Sequence, residues 1–316
     1  RSVHQRGQTG ESWNESGSET MPELPEVETI RLGLLSLLPG RRIRSVDIET
    51  AKSFPNEPSL TKAVFIGAEV TAIDRRGKGL IIELSTGYSL LVHLKMTGQL
   101  VFRQKQGDGG FGGGHPNDSL IGRLPDRSTR ATVTFEDGSH LFFNDQRKFG
   151  WMKLVQTDEV LGEPFFARLG PEIIAPDLTF ASFEARLARR QRTTIKAAIL
   201  DQSVVAGVGN IYVDEGLYAA KIHPATQVQD VSRPKLKLLY EGLREVMALS
   251  IRLGGSSDKN YVDAEGNKGS YLKFAKVFRR EGLPCERCHT LIEKMRVAGR
   301  GTHYCPHCQK LKRVLK

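Results

Sequence analysis

Apolar residues recur at three- and four-residue intervals over residues 27–38 and stop at Pro39-Gly40, a period that predicts one amphipathic helix. Shorter apolar runs bounded by turn residues follow at 43–48, 69–73, 80–84 and 89–94. They resume at 131–135 and 140–144, about the hairpin turn Glu136-Asp137-Gly138. Together these runs predict an antiparallel β-sandwich. Residues 104–125, which hold Gly109-Gly110 and Gly112-Gly113-Gly114, read as a long flexible loop inserted into it, with no assignable role. Past a connection at 164–176 the period turns helical, at 180–190, 194–203, 211–221 and 235–253. No apolar run nears the roughly 20 residues of a membrane span, so none is expected.

Residues 1–20 are rich in Ser, Glu, Gly and Gln, show no apolar period and lack the apolar segment of a secretory signal. They predict a disordered leader. Because the chain opens on Arg1, Met21 is read as the biological start and the leader as non-native. The 316 residues suffice for two or more domains with their own cores. A formal net charge of +10 points to an anionic partner. The excess is concentrated at the end: residues 271–316 hold twelve Lys and Arg against three Glu, a balance of +9. A polyanion is the leading partner class, a plain solvated basic face the alternative.

Three stretches carry candidate chemistry. The first is Met21-Pro22-Glu23-Leu24-Pro25-Glu26-Val27-Glu28. A proline freed by loss of Met21 presents a secondary amine with a pKa of roughly 8, against about 10.4 for lysine, and so is a nucleophile at neutral pH. Glu23 and Glu26 then lie close enough to move its protons. The same residues also make an ordinary helix start, with Pro early and Glu in the first turn. The second stretch is Ala206-Gly207-Val208-Gly209-Asn210, either a helix-turn-helix corner or a helix start that offers N–H groups to a phosphate. The third is Cys285-x2-Cys288 and Cys305-x2-Cys308, sixteen residues apart, the spacing of a four-cysteine zinc ribbon. All four cysteines of the chain lie in its last 32 residues, which argues for metal over disulfides and for a cytoplasmic protein. One structural Zn2+ with a complete thiolate set leaves His289, His303 and His307 without a necessary role. Arg296 and Arg300 lie on the hairpin between the knuckles, placed to meet phosphates.

Six ordered blocks together resemble the bacterial formamidopyrimidine-DNA glycosylases, base-excision enzymes for 8-oxoguanine and ring-opened purines. The blocks are Pro22-Glu23-Leu24-Pro25-Glu26, Arg75-Arg76-Gly77-Lys78, His93-Leu94-Lys95-Met96-Thr97-Gly98, Asn144-Asp145-Gln146-Arg147-Lys148-Phe149-Gly150, Ala206-Gly207-Val208-Gly209-Asn210-Ile211-Tyr212 and the zinc ribbon. The resemblance implies a Schiff-base nucleophile at Pro22, an acid/base partner at Glu23, a β-elimination lysine at Lys78 and a phosphate-gripping, δ-elimination arginine at Arg300. It implies that Met96, Arg147 and Phe149 fill the space left by an everted nucleotide, with Arg147 facing the orphaned cytosine, and that Arg192, Lys196 and Asn210 lie near DNA phosphates or the lesion. Taken singly, Met96 and Phe149 read as core residues and Lys78 as a surface charge, in preference to the roles that the resemblance implies. The chain departs from the family at 127–130, where a histidine is replaced, at Gln146, where proline is usual, and at Arg279. Residues 254–271 resemble the loop that covers the everted base.

The expected architecture is therefore α+β and multidomain: a leader at 1–20, an N-terminal β-sandwich with flanking helices at 21–155, a helix-two-turn-helix domain at 156–270 and a zinc ribbon at 271–316. The resemblance implies a monomeric bifunctional glycosylase and apurinic/apyrimidinic lyase, bound to double-stranded DNA in a bacterial cytoplasm at the nucleoid. Two alternatives stay open: an endonuclease VIII-type enzyme for oxidised pyrimidines, and a non-catalytic DNA-binding protein if the leader is retained.

Overall fold

The computed structural model describes residues 22–105, 110–115, 118–120, 122–256 and 270–311. The expected leader and most of the expected covering loop lie outside them. Helix α1 (Leu24–Leu35) opens the described chain. It starts earlier than the apolar period indicated, because Glu26 closes a capping box: its Oε2 accepts the Glu23 amide at 2.9 Å, with Pro25 in the first turn. It also ends earlier. The chain turns at Ser36, and Leu38 reaches the core from that turn rather than from the helix.

Two antiparallel sheets follow. One is built from β1 (Ile43–Ile48), β5 (Gly98–Arg103), β6 (Gly110–Gly114), β7 (Thr129–Phe135) and β8 (His140–Asp145), in the order β1-β7-β8-β5-β6. The other is β2 (Val70–Arg76), β3 (Gly79–Leu84), β4 (Tyr88–His93) and β9 (Trp151–Gln156), in that order. Their inner faces and α1 share one core, in which Val27, Ile30 and Leu34 meet residues such as Leu80, Leu100, Phe102 and Phe143. Helix α2 (Pro58–Val64) lies between β1 and β2.

The glycine-rich stretch is not wholly a loop. Residues 110–114 pair with β5 from Gln99↔Gly114 to Arg103↔Gly110. Phe111 fixes them: it is fully buried, and its ring lies so close to Gly33 of α1 that a Cβ there would fall 2.1 Å from it. Glycine favours a strand poorly, so only the tertiary contact reveals the element.

The helical part packs α3 (Pro164–Ala167), α4 (Phe180–Ala188), α5 (Ile195–Leu200), α6 (Asn210–Ala219) and α7 (Arg233–Arg252). Its core runs from Phe183 and Ile199 to Leu239 and Met247, and it also takes in Leu24 of α1, so the first helix belongs to both units. Strands β10 (Glu293–Val297) and β11 (Arg300–Tyr304) form the final hairpin. Ala298 and Gly299 turn it, both at positive φ, as a two-residue hairpin loop demands.

Candidate active site

A cavity of about 450 Å3 opens where the sandwich, the helical unit and the ribbon meet, lined by Glu23, Lys78, His93, Met96, Asn210 and Arg300 among others. Glu23 sits at its inner end, 3 % exposed. Its Oε1 accepts the Ile211 amide at the start of α6 at 3.0 Å, while its Oε2 is buried with no hydrogen-bond partner. Burial pushes the Glu23 carboxyl up to about 7, against the opposing pull of the Lys78 ammonium. Burial in turn lowers the Lys78 ammonium, an effect that Glu23 opposes and Arg300 reinforces. Lys78 donates to the Val208 carbonyl at 3.2 Å. It is presented by the β2–β3 turn, whose Gly77 amide is held by Glu172, as is Arg75 at 2.7 Å.

The Gly-x-Gly turn serves this approach. A Cβ on Gly207, at φ +93°, would meet Leu24 at 2.2 Å, and one on Gly209 would meet the Glu23 carboxyl carbon at 2.1 Å. The glycines thus let α1 dock against α6, and the Ile211 N–H that a phosphate could have used is already taken by Glu23.

Pro22, directly before Glu23, is buried. Met96 lines the cavity from the β4–β5 loop. Arg147 and Phe149 project from the loop after β8, the Arg147 guanidinium 5.2 Å from the Phe149 ring centre. Phe149 remains 48 % exposed, an unusual cost for a large aromatic and not the setting of a core residue. Asp145, within the Asn144–Gly150 block but not among the expected site residues, organises both loops. Its Oδ2 accepts the Gly150 amide at 2.6 Å, its Oδ1 accepts the Arg147 amide at 3.2 Å, and Thr97 donates to it from the neighbouring loop. Asn210 reaches across to the ribbon, its Nδ2 donating to the Gly301 carbonyl at 3.0 Å. Arg300 stands exposed at the hairpin tip. Arg192 is exposed before α5 but is not among the residues lining the cavity.

Lys196 corrects the expectation of a phosphate or lesion contact. Its side chain is fully buried, with Nζ 2.6 Å from the equally buried Asp214, so no phosphate can reach it in this arrangement. In the stretch at 127–130, where the family histidine is missing, Arg127 stays exposed but Ser128, Thr129 and Arg130 turn inward. Arg130 is buried, pairs with Glu49 and donates to the Asp145 carbonyl at 2.8 Å, bracing the Arg147 loop from behind.

At the far end of the ribbon the Sγ atoms of Cys285, Cys288, Cys305 and Cys308 lie within 4.8 Å of one another, with Cys285–Cys308 at 4.0 Å and Cys288–Cys305 at 3.4 Å. A tetrahedral zinc with bonds of about 2.3 Å needs edges near 3.8 Å, so the set fits one ion with no open position. The zinc is structural. It closes a cluster in which Cys285 and Cys305 pack on Tyr218, Val277 and Ile292.

A β-sandwich joined through a shared first helix to a helical unit and a closed zinc ribbon defines the class of helix-two-turn-helix, zinc-ribbon proteins. Three family models match in order: the formamidopyrimidine-DNA glycosylase N-terminal domain over 21–152, the H2TH domain of the same enzymes over 169–261, and the zinc finger found in FPG and IleRS over 282–311. The chain is 38% identical over 293 residues to a formamidopyrimidine-DNA glycosylase of Pelotomaculum thermopropionicum, covering 92% of this chain and 100% of that one. It is 36% identical over 289 residues to that of Latilactobacillus sakei, covering 92% and 98%. A solved complex of Lactococcus lactis Fpg with DNA containing an abasic site superposes with a TM-score of 0.81 at 34% identity, covering 92% of this chain and 100% of that one. The chain belongs to the formamidopyrimidine-DNA glycosylase family.

Proposed function

We propose that this protein is a base-excision DNA glycosylase for oxidised purines, 8-oxoguanine and formamidopyrimidines, with lyase activity at the resulting abasic site. One observation carries the reading: a buried carboxyl with an unpartnered oxygen, titrating near neutrality, lies beside Lys78 and next in sequence to Pro22. The Pro22 nitrogen, once free of Met21, attacks C1′ of the everted nucleotide, and the bond to the damaged base breaks as the base leaves with a proton. Glu23 delivers a proton to the sugar ring oxygen as the ring opens, leaving an iminium between Pro22 and C1′. Loss of a C2′ proton then expels the 3′ phosphate, with Lys78 as the proton carrier, and a second elimination, in which Arg300 grips the phosphate, expels the 5′ phosphate.

Met96, Arg147 and Phe149 fill the gap in the duplex and offset part of an unstacking cost of a few kcal/mol. Asn210 and Arg192 contact the backbone. The working units are residues 21–155, 156–270 and 271–316, and the protein acts as a monomer on nucleoid DNA in a bacterial cytoplasm. Borohydride trapping and incision on duplexes carrying 8-oxoguanine or an oxidised pyrimidine test the substrate class. The purine should be cut faster by about tenfold or more, a margin that pocket contacts readily supply. Preference for the pyrimidine would overturn the assignment, and binding without any adduct from a chain starting at Pro22 would leave a non-catalytic protein.

Arg300→Ala should weaken binding similarly across DNA sequences and flatten the plot of log affinity against log salt by about 0.9, the contribution of one phosphate contact. An unchanged slope would remove Arg300 from the backbone.

A further inference from the structure

The ribbon is fastened to the helical unit at two ends by different means. At the zinc end an apolar cluster is joined by hydrogen bonds to main-chain carbonyls: Arg287 stacks 4.1 Å above the Tyr218 ring and donates to the Tyr218 carbonyl at 2.7 Å, and Gln309 donates to the Ile222 carbonyl at 2.9 Å. At the tip the hold is polar. The Lys196 ammonium spends its three donors on Asp214 Oδ1 at 2.6 Å, Thr302 Oγ1 at 2.8 Å and the Gly301 carbonyl at 3.4 Å. Asp214 uses its other oxygen to accept the His303 amide at 2.9 Å, and Thr302 donates onward to the Arg300 carbonyl at 3.1 Å. Every residue from Arg300 to His303 is therefore tied, directly or through Thr302, to one ion pair between α5 and α6.

A fully buried ion pair is a poor way to add stability, because desolvating both charges cancels most of their attraction, and well-packed apolar residues often do as well. What such a pair supplies is direction: its hydrogen bonds are satisfied in one arrangement of the hairpin and lost in others.

We propose that Lys196 and Asp214 are positioning residues, a latch that sets the ribbon tip so that Arg300 faces the Glu23–Lys78 pocket. This deepens the reading of Arg300 given above and rests on it. The latch acts through Gly301, Thr302 and His303, and neither of its residues touches DNA.

The test compares Lys196→Met, the double variant Lys196→Met/Asp214→Asn, and Arg300→Ala, each in the zinc-loaded full chain. Lys196→Met leaves Asp214 buried without its cation and should lower the melting temperature. The double variant restores charge balance and keeps an acceptor for the His303 amide, so its melting temperature should recover while the Thr302 link stays broken. Its strand-cleavage kcat should nevertheless remain down by about tenfold to a hundredfold, the scale of a misplacement near 1 Å, with KM within about threefold. Adding Arg300→Ala to the double variant should cost little more, and amide exchange at residues 299–303 should speed up while zinc content holds. A double variant that regains turnover together with its melting temperature would reduce the pair to a structural role, and unchanged exchange at the tip would overturn the latch outright. If Arg300→Ala alone cleaves like the parent, the role of Arg300 falls, and exchange at the tip still decides whether the latch exists.

Discussion

A chain beginning at Pro22 should be trapped on 8-oxoguanine duplex by borohydride, and a chain with residues kept ahead of Pro22 should not, with excision lower by about 10³-fold or more. The reason is the state of one nitrogen. Behind Met21 it belongs to a tertiary amide, its lone pair delocalised into the carbonyl, and it can neither attack C1′ nor form an iminium. Freed, it is a secondary amine with a pKa of roughly 8, of which a useful fraction, about a fifth, is neutral at physiological pH. Pro22→Gly replaces that ring-held amine by an unconstrained primary one and should lose the adduct as well. Mass analysis of the adduct would locate the bond. Equal trapping by the extended chain would mean that another residue is the nucleophile.

The two carboxylates that follow Pro22 have been given different surroundings. Glu26 accepts from the Glu23 amide at 2.9 Å, the Tyr212 hydroxyl at 2.6 Å and the Ser256 amide at 2.8 Å, so both of its oxygens are occupied. Glu23 accepts the Ile211 amide through Oε1, while its Oε2 is buried without a hydrogen-bond partner. Environments that treat neighbouring acids so unequally assign them unequal work. Glu26 ties the start of α1 to α6 and to the root of the segment after α7, which suits Glu23 to the proton exchange proposed for it.

Much of this was legible in the sequence because it rests on spacing. Six of the sandwich strands, the long helix α7 and the cysteine tetrad follow from periodicity and the Cys-x2-Cys interval alone, whereas β5 and β9 were not read from it. Strand β6 was not legible, because its glycines carry no strand signal and Phe111 earns its place only through Gly33, 78 residues earlier in the chain. Gly207 and Gly209 were half legible: local pattern shows the tight turn of the helix-two-turn-helix corner, but only the fold shows Leu24 and Glu23 pressing on it. Lys196 failed as a phosphate ligand because a lone lysine in sequence gives no sign of a buried Asp214 eighteen residues on. Asp145 could have been found earlier, since an acid flanking an exposed Arg-x-Phe loop is a natural cap for that loop's amides.

Glu23→Gln should nearly abolish base excision, by about 10² to 10⁴-fold, the usual worth of one positioned acid. It should also make the protein more stable above neutral pH. Burial raises the Glu23 pKa in the folded state to about 7 from its ordinary 4.5, so between these limits the folded protein holds a proton that the unfolded chain releases. Stability from this group is complete below 4.5 and is lost as pH rises through about 7. The full loss is on the order of 3 kcal/mol at 1.36 kcal/mol per unit, and the variant recovers less, because Lys78 forfeits its largest favourable charge interaction. Melting curves of parent and variant should therefore diverge in the variant's favour from about pH 5 to about pH 8.5, and a flat difference would refute a near-neutral Glu23. The same pKa shapes the activity of the parent: under the mechanism proposed above, excision needs Glu23 protonated and the Pro22 amine neutral, so the rate should peak between about 7 and about 8 and fall on either side. With glutamine in place of the acid, the residual rate should keep the rise caused by the amine and lose the fall on the alkaline side.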